Sequence, residues 1–152
     1  MEQFAEALRM NDRVFPPYVD GTVVAACAGE HDLARRYVTK ALELGGQQPH
    51  LIAFKGYADA RAGKLAEAEQ ALEQLAQMRE AGRVLHHDIA IINIALGRLD
   101  AALDALELAH RDREYLVVLI GVSPVFDPLR DQPRFQALID DLRYSKSAGE
   151  GR

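Results

Sequence analysis

The sequence predicts an all-α fold in which three similar helix pairs stack on one another, and three observations support this prediction. Gly29, Gly63 and Gly97 are equally spaced along the chain. Their spacing, here called the repeat interval, is that of a repeated helix-turn-helix unit, which is typically about 34 residues long. An alanine stands five positions after each of these glycines: Ala34, Ala68 and Ala102. In addition, no segment combines the alternation of a β-strand with turn residues at both ends. Units of this kind bury their apolar faces by stacking on their neighbours.

Prolines and glycines predict where the helices begin and end. Proline suits the first turn of a helix, where a missing amide donor costs little, and three helices are expected to open in this way: at Pro16, Pro49 and Pro133. Glycine favours the left-handed conformation that terminates a helix, as expected at Gly29 and at the pair Gly45-Gly46. The predicted helices cover, in chain order, 2–10, 16–28, 32–44, 49–62, 65–79, 85–96, 99–110, 115–121 and 132–143. We expect one domain over 1–144 and a disordered polar tail over 145–152.

The outer surfaces of the helix pairs are predicted from their charged residues. Alanine in the second helix of each pair lets that helix lie close to the first, so the opposite side should face solvent. The polar side chains expected on that solvated side are Arg35, Arg36, Glu67, Glu69, Gln70, Asp100 and Asp104. Cys27 is predicted to be a small packing residue at the end of its helix.

Composition excludes several classes of protein. The net charge of −5 argues against a nucleic-acid partner, because binding to phosphates needs a basic surface. The longest apolar run, 116–122, is too short to cross a bilayer, so no membrane partner is expected. A single cysteine, Cys27, cannot form an internal disulfide and suits a reducing compartment. The sequence therefore predicts a cytoplasmic protein.

The second helices of the three units resemble those of the tetratricopeptide repeat family. In that family an alanine is followed by an apolar residue four positions later and a small one three further. The matching triplets are Ala34/Val38/Ala41, Ala68/Leu72/Leu75 and Ala102/Leu106/Ala109. The first helices match less well: Tyr18 and Gly56 fit, whereas Lys55, Asp59 and Asn93 replace large apolar residues. The resemblance implies a right-handed α-solenoid of three helix pairs, with an amino-terminal helix and a carboxyl-terminal capping helix.

The segment 123–138 resembles the closing segment of bacterial repeat domains, which are often attached to transcriptional regulators, nucleotide cyclases or protein kinases. This resemblance implies a capped carboxyl end and no activity of its own. We expect four apolar residues to plug the open end of the solenoid: Phe126, Leu129, Phe135 and Leu138. Asp127 is expected to fix the turn by pairing with Arg130 or Arg134.

No catalytic or metal-binding constellation is predicted. His86, His87 and Asp88 are adjacent, but metal ligands on one helix face need a spacing of three or four, and residues 90 and 91 are alanine and isoleucine. The other histidines, His31, His50 and His110, stand alone in the sequence. Cys27 has no activating partner nearby. We therefore expect a non-enzymatic protein without a cofactor.

The resemblance places the first helix of each unit along a concave groove, and this groove is the predicted binding site. Its expected lining is Val19, Val23, Ala53, Tyr57, Arg61, His87, Ile91 and Ile94. A mostly apolar surface of this kind suits a peptide or an amphipathic helix of a partner protein. Two alternatives remain. The chain could be a self-associating unit, with the groove filled by its own chain or by a second copy, or the sensory or scaffolding part of a larger bacterial regulator.

Overall fold

The computed structural model describes residues 16–80, 82, 84–115 and 120–149, and this part of the chain consists of helices joined by turns, without a β-strand. Its elements are α1 (Pro16–Cys27), α2 (His31–Gly45), α3 (Pro49–Arg61), α4 (Leu65–Glu80), α5 (His86–Ala95), α6 (Leu99–Arg111), a 3-10 helix (Pro124–Leu129) and α7 (Pro133–Gly149). The predicted helix over 2–10 and most of the one over 115–121 lie outside the described residues. A search of the described residues finds no helix with the length and apolar character needed to span a membrane.

The boundaries of α1 to α6 agree with the predicted boundaries to within one residue. The turns explain this agreement, because Gly29, Gly63 and Gly97 have φ angles of 79°, 76° and 74°. Side chains disfavour this left-handed region, so a glycine that adopts it marks the end of a helix. The last helix differs from the prediction. It continues past Arg143 to Gly149, so part of the segment 145–152 is helical.

Consecutive helices form three packed pairs: α1 with α2, α3 with α4 and α5 with α6. The first helices of the pairs also contact one another, because α3 packs against both α1 and α5. Gly56 permits a close approach of α4 and α5 to α3. A Cβ atom at this position would lie 2.7 Å from Cδ1 of Ile92 and 2.8 Å from Cβ of Ala71, so no larger residue fits without a shift. The central helix α3 is thus held between α4 and α5.

The core is divided into two clusters on opposite sides of α3. The smaller cluster joins α3 to α4 and α5, and consists of Ile52, Ala53, Ala60, Ala68, Ala71, Leu75 and Ile92. The larger cluster runs from Val19 in α1 to Leu138 in α7 and includes the apolar residues of the 3-10 helix. Ala34, Ala68 and Ala102 are fully buried, as expected for residues at close helix contacts.

Some charges that were expected to be solvated make specific contacts between helices. Asp59 in α3 is only 2% exposed. Its carboxylate accepts hydrogen bonds from Arg35 Nε in α2 at 3.0 Å and from Lys55 Nζ at 2.6 Å. Arg134 in α7 similarly donates to Asp104 in α6 at 2.6 Å. Arg35 and Asp104 were expected to be solvated without a specific role, but each pairs with a charge on another helix, while Asp104 remains 67% exposed as expected.

The carboxyl-terminal segment crosses the first helices instead of only closing the end of the stack. The 3-10 helix contacts α1 and α5 as well as α6, so it reaches the first helix pair. As predicted, Arg130 Nε donates to Asp127 at 2.6 Å, whereas Arg134 pairs with α6. The four apolar residues of this segment are buried: Phe126, Leu129, Phe135 and Leu138.

Candidate functional site

The face on which the 3-10 helix lies is formed by α1, α3 and α5, and we call it the inner face. On α3 its residues are His50, Phe54, Tyr57 and Arg61, at spacings of four, three and four that place them on one side of a helix. Aromatic edges connect this row: the ring centroids of His50 and Phe54 are 4.8 Å apart and nearly perpendicular. The centroids of Phe54 and Tyr57 are 6.5 Å apart. The inner face is therefore apolar, with a polar group at each end.

The structure brings most of the predicted groove residues together but covers them. Six of them are buried in or beside the larger core cluster: Val19, Val23, Tyr57, His87, Ile91 and Ile94. Arg61 is exposed. Phe126 of the 3-10 helix contributes to the same cluster, and its ring centroid lies 5.6 Å from that of His87. The inner face is thus occupied by the 3-10 helix of the same chain.

The remaining predicted groove residue, Ala53, belongs elsewhere. It lies in the smaller cluster, with Ala68 and Ala71 of α4. Ala53 therefore does not lie on the side of α3 that carries Tyr57 and Arg61, and Phe54, which does, was missed. Both sides of α3 are apolar, so hydrophobicity alone does not select the side. The row 50/54/57/61 contains three ring-bearing side chains, and this feature could have indicated which side of α3 forms the inner face.

A cavity of about 260 Å³ remains between the inner face and the 3-10 helix. It is lined by Cys27, Tyr57, Arg61, Ile94, Ala95, Pro124, Val125, Asp127 and Pro128. Cys27 is exposed, contrary to its predicted role in packing, and its Sγ lies 3.6 Å from the Tyr57 hydroxyl. Burial and the contact with Cys27 raise the pKa of Tyr57 well above its usual value, so its hydroxyl stays neutral. The cavity thus offers a neutral hydroxyl, an arginine and an aspartate.

A polar cluster lies at the opposite end of the inner face. His50 Nδ1 is 2.8 Å from Asp88 Oδ1, and His87 Nδ1 is 3.9 Å from the same oxygen. Burial alone would raise the pKa of Asp88, but the neighbouring His50 and His87 outweigh it and hold that pKa below its usual value. The carboxyl is therefore ionised at neutral pH.

The interpretation of His50 as an isolated residue was wrong. His50 and Asp88 are 38 positions apart, which is one repeat interval plus one helical turn. Neighbouring first helices pack side by side, so that separation brings the two residues together. A search for ligand pairs within a single helix could not find these two residues. A search for pairs separated by one repeat interval, or by that interval plus one helical turn, could have found them.

The start of α5 is fixed from outside the helix. Glu114, just after α6, accepts hydrogen bonds from the backbone amides of His86 at 2.7 Å and of His87 at 3.1 Å. A carboxylate at this place satisfies amides that have no partner inside the helix and interacts favourably with its dipole. This contact holds His87 and Asp88 in position against α3.

The comparisons with known proteins add no relative to this description. No protein-family model, no curated protein and no solved structure matches the chain.

Proposed function

We propose that this chain is a non-catalytic protein-interaction module built from three tetratricopeptide-like helix pairs. Its inner face binds a short apolar peptide segment of a partner protein. The 3-10 helix of the chain occupies that face until a partner segment replaces it. The module acts by presenting a shaped surface, and no reaction is assigned to it.

The regularity of the helix pairs supports the repeat assignment. The three turn glycines are equally spaced and adopt the same left-handed conformation. The alanine five positions later is fully buried in every pair. These features fit repeated units that stack through small residues, and a right-handed solenoid is the arrangement that the family resemblance implies.

The observation that carries the proposed function is the docking of the 3-10 helix on the inner face. This segment buries Val125, Phe126 and Leu129, while Asp127 stays exposed. A six-residue element with three buried apolar side chains is comparable in size to the short peptides that helical grooves recognise. The cavity beside Tyr57 and Arg61 supports exchange, because a partner segment that filled it would make contacts that the 3-10 helix lacks.

One rival function keeps the same contacts but makes them permanent. The burial of Tyr57 to 2% exposure favours a purely structural unit whose inner face is never open. The two functions differ in whether the 3-10 helix can be replaced without unfolding the chain. A binding experiment therefore separates them.

The test uses a fluorescent peptide of residues 121–132 added to the full-length chain. The tethered 3-10 helix competes at an effective concentration of about 1 mM, so the parent chain should bind the peptide weakly. Phe126→Ala in the chain weakens this internal competitor and should tighten peptide binding by roughly tenfold. Val122→Ala is the matched control, because Val122 is exposed just before the same segment. Absence of peptide binding to both chains, with helicity retained, supports the structural unit and contradicts our proposal.

Substitutions at the edge of the cavity provide a second test. Arg61 is exposed beside the cavity, and the hydrogen bond from its Nη2 to the carbonyl oxygen of Ala26 is long at 3.4 Å. Arg61→Glu should therefore leave the fold intact. If Arg61 meets the aspartate of the incoming segment, this variant should weaken peptide binding by about 1 to 3 kcal/mol. Arg36→Glu, on the exposed side of α2, should leave binding unchanged.

A further inference from the structure

We propose that His50, His87 and Asp88 form a binding site for a first-row transition-metal dication, with Zn²⁺ as the reference ion. All three ligands come from the folded contact between α3 and α5, and none comes from the 3-10 helix. Two imidazoles and one carboxylate form a donor set that suits zinc and its neighbours in the series. Magnesium and calcium prefer sites made of oxygen atoms and are not expected to bind.

The distances between the donor atoms fit this proposal. One donor atom from each of the three residues lies within 4.8 Å of the other two. His50 Nδ1 and Asp88 Oδ1 are 2.8 Å apart, and His87 Nδ1 is 3.9 Å from the same oxygen. Zinc with bonds of about 2.0 to 2.2 Å in a tetrahedral arrangement needs donor atoms roughly 3.3 Å apart. The separations of 2.8 Å and 3.9 Å lie on either side of this value, so both contacts must adjust, and zinc replaces the proton between His50 and Asp88.

An unsatisfied buried atom is the second, independent observation. His87 Nδ1 is inaccessible to solvent and has no hydrogen-bond partner, and the side chain is only 4% exposed. A buried polar atom without a partner is unfavourable, and such atoms in native proteins often mark an ion or a catalytic role. The nitrogen lies near the Asp88 carboxylate, but at 3.9 Å it is too far for a hydrogen bond. A metal ion between His87 and Asp88 would be coordinated by the lone pair of this nitrogen.

The surroundings hold the donor groups and leave a route for the ion. The edge of Phe54 packs against His50, and the ring of Phe126 lies beside His87, which restricts both imidazoles. His50 remains 33% exposed, so an ion can reach the site from its side. The chain supplies three ligands, which leaves a coordination position for water.

Titration of the full-length, tag-free chain with Zn²⁺ alone tests the site. Calorimetry should give one ion per chain, with a Kd in the micromolar range or below. At a hundredfold excess of free Zn²⁺ over Kd, the Tm should rise by about 5 °C or more. His50→Ala and Asp88→Asn should each lower the affinity at least tenfold, as loss of a ligand does. His50 is partly exposed, so His50→Ala keeps the test valid even if Asp88→Asn is unfolded.

His110→Ala is the matched control, because His110 Nε2 lies 2.6 Å from Asp141 in a histidine–aspartate pair whose carboxylate is exposed. This variant should bind Zn²⁺ like the parent chain. The proposal is overturned if no binding occurs at micromolar free Zn²⁺, or if His50→Ala binds as tightly as the parent. It is overturned as well if His110→Ala loses as much affinity as His50→Ala. Any of these results would leave the contact between His50 and Asp88 as a simple hydrogen bond between helices.

Discussion

The two helices of the central pair, α3 and α4, differ in what surrounds them. Nine of the 13 residues of α3 are buried, because α4, α1, α5 and the 3-10 helix all lie near it. The second helix, α4, buries a single stripe made of Ala68, Ala71 and Leu75, and most of its charged side chains face solvent. On α3, by contrast, the buried carboxylate of Asp59 is paired with Arg35 and Lys55.

This difference indicates which helices carry buried polar groups. The buried polar residues of the first helices are Thr22, Asp59, His87, Asp88 and Asn93. Most of them have a defined partner: Asp59 has two cations, Asp88 has His50, and Asn93 donates to the carbonyl oxygen of Ile89. His87 Nδ1 is the exception among these side chains. Buried polar groups on α3 and α5 are thus better candidates for function than the mostly exposed charges on α4.

The largest expected effect comes from a cavity in α3. Ile52→Ala removes a fully buried side chain from the smaller core cluster and should lower the free energy of unfolding by about 2 to 5 kcal/mol. Leu72→Ala in α4 removes a half-buried side chain and should cost roughly 1 kcal/mol. Urea denaturation measures both. Equal losses would contradict the contrast between the two helices.

Two glycines sharpen the comparison further. Gly56→Ala should destabilise the chain by about 1 to 3 kcal/mol, because its Cβ would overlap Ile92 and Ala71. Gly63→Ala meets no atom within 4 Å, so only its φ of 76° opposes the change, at about 1 kcal/mol. Gly63→Asn should recover part of this loss, since asparagine tolerates the left-handed region. A stable Gly56→Ala variant would show that α3 can move away from α4 and α5.

The smallest expected effect separates two adjacent arginines of α2. Arg35→Ala removes one partner of the buried Asp59 and should cost about 1 kcal/mol, because Lys55 still neutralises the carboxylate. Arg36→Ala, at an exposed position, should change stability by less than about 0.5 kcal/mol. Thermal unfolding of both variants checks this difference. Identical melting temperatures would place Arg35 among the solvated charges after all.

The helix boundaries could be predicted because they depend on local chemistry. A glycine with a positive φ ends a helix wherever the chain needs a tight turn, and the equal spacing of these glycines repeats that turn along the chain. The small residues at close contacts, Ala34, Ala68 and Ala102, could also be predicted, because each stands five positions after one of these glycines. The extent of α7 could not, since the small polar residues near its end do not specify where a helix stops.

The candidate site could be predicted only in part, because its decisive contacts join distant segments. Residues of α1, α3 and α5 share one buried cluster, but no sequence pattern indicated that the 3-10 helix would cover it. The position of Phe126 against His87 depends on the path of the chain after α6. The contact between His50 and Asp88 likewise requires α3 and α5 to lie side by side, which no single helix encodes.

The central claim is that the 3-10 helix is an occupant that can leave the inner face while the helix pairs stay folded. Native-state hydrogen exchange tests it most directly, because two backbone amides of this segment are hydrogen-bonded within it. The amide of Phe126 donates to the carbonyl oxygen of Ser123, and that of Arg130 donates to the carbonyl oxygen of Asp127, both at 3.2 Å. We predict that these amides exchange through a local opening whose free energy is lower by about 2 kcal/mol or more than that of the amides in α3 and α5. Exchange of both groups with the same free energy and the same dependence on denaturant would contradict the claim, because the 3-10 helix would then leave only when the whole chain unfolds.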